Sequence, residues 1–212
     1  LKILNLCNNQ LRYIPWELGN LRKLQEFAIN NNKLEFIPDT LGNLTQLQIL
    51  NLSKNLLTTV PDELGKLINL KQLFLHTNQL ESIPSALRNF KLLQFLDLGY
   101  NRLKEIPDRL FGELTLLQKL YLHNNQLKSI PTTLGNLTQL QELYLHKNQL
   151  GAIPAALGNL IQLKELDLRN NRLEYVAMEL GNIPTLIKLC LRFNAKLKDV
   201  PQNLLDISDL KA

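Results

Sequence analysis

His76, His123 and His146 are all the histidines in the chain, and each stands two residues after an aromatic: Phe74, Tyr121 and Tyr144. Imidazole offers three chemistries. It ligates metals, it serves as a general base, and it titrates near neutral pH within a contact. A zinc site needs three or four ligands converging at about 2.0–2.3 Å. A nucleophilic site needs a hydroxyl and a carboxylate lined up on either side of the base. Ser53, His76 and Asp97 supply those types. Which chemistry is open depends on the elements that carry the residues.

Those elements are repeats. "KLYLHNNQL" at 119–127 returns as "ELYLHKNQL" at 142–150. A unit of 23 residues, L-x-x-L-x-L-x-x-N-x-L-x-x-I-P-x-x-L-G-N-L-x-x, recurs nine times, starting at Leu1, Leu24, Leu47, Leu70, Leu93, Leu117, Leu140, Leu163 and Leu186. Two units carry one extra residue, one near Phe111 and one at Ala195 and Lys196. The ninth position is Asn in every unit, from Asn9 to Asn194, and Ala177 alone breaks the column of Pro. The alternating x-L-x-L predicts a short strand with Leu pointing inward. The Asn ends it, because its amide bonds backbone groups that a turn leaves unpaired. Pro followed by Leu at a spacing of three predicts a helical or irregular turn. A single unit cannot bury its own Leu face, but stacked units bury one another's. The expected fold is an α/β solenoid across 1–212. A parallel sheet lines its concave side, and short helical or 3-10 turns lie on the bulkier convex side.

That frame weakens the sharper chemistries. The three histidines fall in one column, the seventh position of the unit. His123 and His146 are expected on adjacent strands, with His76 two strands before His123 and Gly99 between. A flat row of imidazoles does not converge on a metal, and no Cys or acid completes a ligand set in that column. Ser53, His76 and Asp97 fall on different strands with parallel side chains, and nothing orients a base or builds an oxyanion hole. The glycines mostly belong to the "LGN" turn, so no phosphate loop is present. The expectation is therefore no catalytic residue, no metal and no cofactor.

What remains is recognition. The strand positions that the repeat leaves free carry six of the thirteen aromatics, and five of the six lie in units four to seven. Exposed aromatics offer large contact area at low entropy cost. The expected contact strip is Phe74, His76, Phe95, Asp97, Tyr100, Tyr121, His123, Tyr144 and His146, with Asp167 and Arg169 beside it. Lys164, Lys188 and Arg192 extend a mixed, slightly basic end, which suits a partner with an acidic edge.

The unit resembles the leucine-rich repeat family, and the resemblance covers the whole chain. Plant receptor repeats share an "IPxxLGNL" stretch but carry an extra residue and a Gly before the Ile. The 23-residue form is similar to intracellular Ras-binding scaffold proteins and to bacterial leucine-rich repeat proteins, secreted effectors among them. The resemblance implies a protein–protein interaction module that binds a partner on its concave face. It points to a cytoplasmic scaffold or adaptor in signalling, with a small GTPase or other signalling protein as partner. Its alternatives are a secreted bacterial effector that binds a host protein, or the recognition part of a kinase or ubiquitin ligase whose catalytic domain lies elsewhere.

Composition bounds the rest. A net charge of +5 without a basic block gives little support to nucleic acid or an anionic membrane. RNA binding would interleave cations with aromatics, and here Asp97, Glu142, Glu165 and Asp167 interrupt them. No apolar run reaches the ~18 residues of a membrane span, and there is no signal-peptide pattern. Cys7 and Cys190 fall in the first and ninth units, beyond disulfide reach. Two of the three N-x-S/T sequons repeat the unit's own "GNLT", so they say little of secretion. The chain starts at Leu1, and "PQNLLDISDLKA" departs from the unit. Asp206, Ser208, Asp209 and Lys211 suit a modest cap or a tenth unit, and the chain reads as a monomeric fragment of a longer array.

Overall fold

The computed structural model describes residues 1–205. Nine strands of three residues each form one parallel sheet in sequence order: β1 (Ile3–Asn5), β2 (Glu26–Ala28), β3 (Ile49–Asn51), β4 (Gln72–Phe74), β5 (Phe95–Asp97), β6 (Lys119–Tyr121), β7 (Glu142–Tyr144), β8 (Glu165–Asp167) and β9 (Lys188–Cys190). Every pair is in register by unit position. The extra residue of the fifth unit does not shift it, since Phe95 still faces Lys119. That residue is absorbed on the convex side, where the helical turn shortens to Phe111–Glu113.

The convex turns are 3-10 helices, most of them five residues long, such as Trp16–Asn20 and Thr132–Asn136. The preceding Pro is extended, and its carbonyl accepts the first i→i+3 bond, as in Leu18 N–H to Pro15 O at 3.1 Å. Pro suits that site because its φ is preset and no N–H is needed there. Ala177 adopts the same extended backbone in the eighth unit. In the ninth unit the convex turn after Pro201 is a short α-helix, Gln202–Leu205, and the proposed cap residues from Asp206 on lie outside the described residues.

The Leu columns fill the interior. Leu50, Leu73, Leu96, Leu120 and Leu143 lie one per coil in a continuous core that also takes Phe27, Phe90 and Phe111. Each coil shares this surface with its neighbours, which is why the fold needs several units at once.

Beyond each strand the eighth residue turns left-handed, with φ between 52° and 61° in all nine coils, and none of the nine is Gly. Asn tolerates that region, and Asn8, Asn31, Asn124 and Asn170 fit the rule. Lys54, Thr77, Tyr100, Lys147 and Phe193 do not fit it. Ladder bonds to the next coil hold the first four there, as in Lys54 N–H to His76 O and Tyr100 N–H to His123 O, both 2.9 Å.

The Asn column then ties coil to coil. Asn55 Oδ1 accepts from Leu34 N–H of the coil before, at 3.0 Å, while Nδ2 donates back to Ile29 O and within its own coil to Leu52 O. The same pattern recurs from Asn32 to Asn194, all buried. Asn9 differs: it is exposed and donates only within its own coil, to Leu6 O and Cys7 O, because no coil stacks on β1 from that side among the described residues.

Candidate binding surface

Outward-facing residues of neighbouring strands lie side by side, so like residues stack where the unit repeats them. Tyr121 of β6 pairs directly with Tyr144 of β7, and their rings lie parallel, with centroids 4.5 Å apart. Two positions on, His123 and His146 stack in the same way at 4.6 Å. Phe74 and Phe95 meet at 4.8 Å, and Phe95 stands edge-on to Tyr121 at 5.2 Å. Tyr100 also meets His123 edge-on at 5.2 Å. The strip expected from the sequence is therefore a set of contacting rings running from β4 to β7. His76 lies on its flank with Nδ1 3.1 Å from Thr77 Oγ1.

The tyrosines are fixed by a neighbouring column. Tyr121 O–H donates to Glu142 at 2.5 Å, and Tyr144 O–H donates to Glu165 at 3.0 Å. Each carboxylate is held in turn by a lysine, Glu142 by Lys119 at 2.6 Å and Glu165 by Lys188 at 2.8 Å. Burial and then the adjacent carboxylates push both phenols well above their usual pKa, so the O–H stays a donor. From the sequence alone, Glu142 and Glu165 register as breaks in a positive field and not as partners of the tyrosines. The missed signal is a Glu at the third position of the unit that follows each Tyr.

Part of the basic end is paired internally. Asp167 is buried on β8, with Arg169 and His146 closing on its carboxylate. Arg169 donates to it through Nε at 2.9 Å and through its terminal nitrogen at 2.5 Å, and His146 Nδ1 lies 3.0 Å away. Arg192 lies over Phe193, 5.8 Å from the ring centre. Of the cations expected at this end, Arg169 and Lys188 are paired with carboxylates, while Lys164 reaches only Gln141 Oε1 at 3.4 Å. Beyond Tyr144 the row of rings stops, since Asp167 and Cys190 follow in the column. The resulting hollow of about 130 Å³ is lined by Tyr144, His146, Arg169 and Lys188.

Burial alone would push the Asp167 carboxyl up. The hydrogen bonds from His146 and Arg169 overcome it and hold the group well below the ordinary 3.8. A depressed carboxyl contributes stability that is complete above the unfolded value, and that stability is lost as pH falls through the folded one. Asp167→Asn should therefore lower the melting temperature at neutral pH and flatten its acid decline. Melts of both chains between about pH 6 and pH 2 check this, and parallel acid limbs would remove the ion pair from the account.

Ser53, His76 and Asp97 are not wired together. Ser53 Oγ donates to Asn51 Oδ1 at 2.7 Å, while Asp97 Oδ1 accepts from Gly99 N–H. Among the described residues no helix is long and apolar enough to cross a membrane.

The comparisons with known proteins agree with this architecture. Residues 84–209 match a family model described as a leucine-rich repeat region, and residues 1–57 and 45–103 match a leucine-rich repeat model. No curated protein matches by sequence. A leucine-rich repeat protein of Leptospira interrogans is similar at 30% identity over 96% of this chain, with a TM-score of 0.86. The ectodomain of the plant receptor kinase GASSHO1/SCHENGEN3 from Arabidopsis thaliana, solved in complex with CASPARIAN STRIP INTEGRITY FACTOR 2, is similar at 35% identity over 99%, with a TM-score of 0.88. An internalin of Listeria monocytogenes is similar at 25% over 100%, with a TM-score of 0.83. This chain spans 57%, 26% and 60% of those three chains, respectively. The likeness thus takes in bacterial proteins and also a plant receptor, a class that the unit length had set apart. Nine stacked units with an Asn column that is buried from Asn32 on, matched by family models along nearly the whole chain, place this protein in the leucine-rich repeat family.

Proposed function

We propose that the concave wall from β4 to β8 is a recognition surface for a partner protein. The observation that supports it most is the Tyr121–Tyr144 stack, pre-set by Glu142 and Glu165 and partly open to solvent. Rings already held in one rotamer lose little entropy on binding, which is what an anchor needs. The chain serves as a scaffold or adaptor and not as an enzyme. A cytoplasmic signalling protein, such as a small GTPase, fits the 23-residue class. The likeness to proteins of Leptospira and Listeria favours a second reading, a bacterial protein that binds a host protein. Locating the chain by fractionation separates the two.

The test is capture from extract of the source cells, repeated with Tyr121→Ala plus Tyr144→Ala. The double variant should keep the melting transition, since neither ring belongs to the core. It should bind more weakly by over about 1 kcal/mol. Equal capture by both chains would move the contact surface elsewhere.

A further inference from the structure

Asp97 stands apart from the other carboxylates of the central wall. Glu142 is held by Lys119, Glu165 by Lys188 and Asp167 by Arg169. Among the described residues no lysine or arginine pairs with Asp97. Its Oδ1 accepts one hydrogen bond, from Gly99 N–H at 2.9 Å. Burial pushes its carboxyl above the ordinary 3.8, and the Gly99 N–H and the imidazoles of His76 and His123 offset this only in part. The chain has partly desolvated a negative charge without supplying a strong counter-charge.

The surroundings of Asp97 are aromatic. Phe74 and Tyr121 are its direct cross-strand neighbours on β4 and β6. Phe95, two residues before it on the same face, touches both rings. At the other end Gly99 leaves a gap, and the His123 ring leans into it. A Cβ built on Gly99 would lie 2.5 Å from His123 Cε1. His76 and His123 both lie near enough for their imidazoles to act on the carboxyl. Asp97, only partly buried, is thus bordered by the rings of Phe74, Tyr121 and Phe95, with His123 over Gly99 beside it.

A cation gains twice in such a place, from the carboxylate and from ring faces in a partly desolvated setting. An anion would meet the unpaired Asp97, and a neutral apolar group would bury that charge further. We propose that Asp97 and the rings around it form an anchoring site for a basic side chain, lysine or arginine, presented by the partner protein. This rests on reading the concave wall as a recognition surface, and charge complementarity selects the occupant.

The test needs no partner. The whole chain is titrated with N-acetyl-lysine methylamide and N-acetyl-arginine methylamide, with N-acetyl-norleucine methylamide as the uncharged probe. The histidine ring protons are followed by NMR. The cationic probes should shift the His76 and His123 signals saturably, and norleucine at equal concentration should not. Asp97→Asn keeps the shape and an acceptor for the Gly99 N–H, and it should weaken the cationic probes at least about tenfold. Its fold is checked in the same tubes. Because a raised carboxyl destabilises the fold once ionised, Asp97→Asn should melt at or above the parent at neutral pH. Phe74→Leu should reduce affinity several-fold while Asp97 remains. Norleucine binding as well as lysine, Asp97→Asn binding as well as the parent, or no saturable shift would each overturn the site. Such a failure leaves the partner-capture result with Tyr121 and Tyr144 standing, so the two readings fall separately.

Discussion

Asn125→Ala should lower the unfolding free energy by about 3 kcal/mol. Asn125 is 8% exposed and lies among Leu98, Leu103 and Leu122, all at 0%. Its Oδ1 accepts from Leu103 N–H at 3.0 Å, and its Nδ2 donates to Leu98 O at 3.0 Å and Leu122 O at 3.1 Å. A methyl group replaces none of these bonds, and the leucines keep water from doing so. Leu98 and Leu103 belong to the fifth coil and Leu122 to the sixth, so the loss falls on the seam between coils. Stability in a solenoid is carried by such seams. The urea transition should therefore move to lower denaturant and also broaden, as the two halves begin to melt separately. Asn9→Ala is the comparison. Asn9 is exposed and bonds only its own coil, so its loss should cost well under about 1 kcal/mol. Equal midpoints for parent and Asn125→Ala would mean that the column does not hold the coils together.

Gly135→Ala should destabilise by a similar amount, about 3 kcal/mol, for a different reason. No glycine in the chain has positive φ, so backbone freedom is not what the "LGN" glycine supplies. A Cβ on Gly135 would collide with the carbonyl oxygen of Ala156 in the next coil, and Gly19 and Gly42 face Thr40 O and Glu63 O in the same way. The obstacle is backbone, so it can withdraw only by opening the seam. Gly151 has nothing within 4 Å of its would-be Cβ. Gly151→Ala should be neutral or stabilising by up to about 0.5 kcal/mol. Thermal melts of the two variants side by side decide it, and equal stability would discard close approach as the cause. The fourth unit carries Arg88 in this column. The facing turn in the fifth unit is the one shortened to Phe111–Glu113, and the hollow there, of about 180 Å³, is lined by Arg88, Arg109 and Leu110.

Much of the surface was legible before any coordinates. Alternation and a 23-residue spacing are properties of the backbone path. They put Phe74, Tyr121 and Tyr144 in one outward column and the three histidines in the next. They also made Asn125 a turn residue whose amide bonds the backbone; that its bonds bridge two coils came only from the structure. The roles of Asp97 and Asp167 were not legible. Both occupy the fifth position of a unit, yet one is clamped by Arg169 and the other lies open among rings. The difference comes from the seventh position two residues on, Gly99 in one coil and Arg169 in the other, and from what the adjacent strand leans into the space.

The sequence by itself determined the coil, its core and the columns that face outward, because those follow from each unit's own period. Tertiary structure decided which outward groups meet: Tyr121 with Glu142, His123 over Gly99, Gly135 against Ala156. Those meetings depend on the distance and tilt between two coils, and on the desolvation each imposes on the other. A column of letters does not carry such quantities.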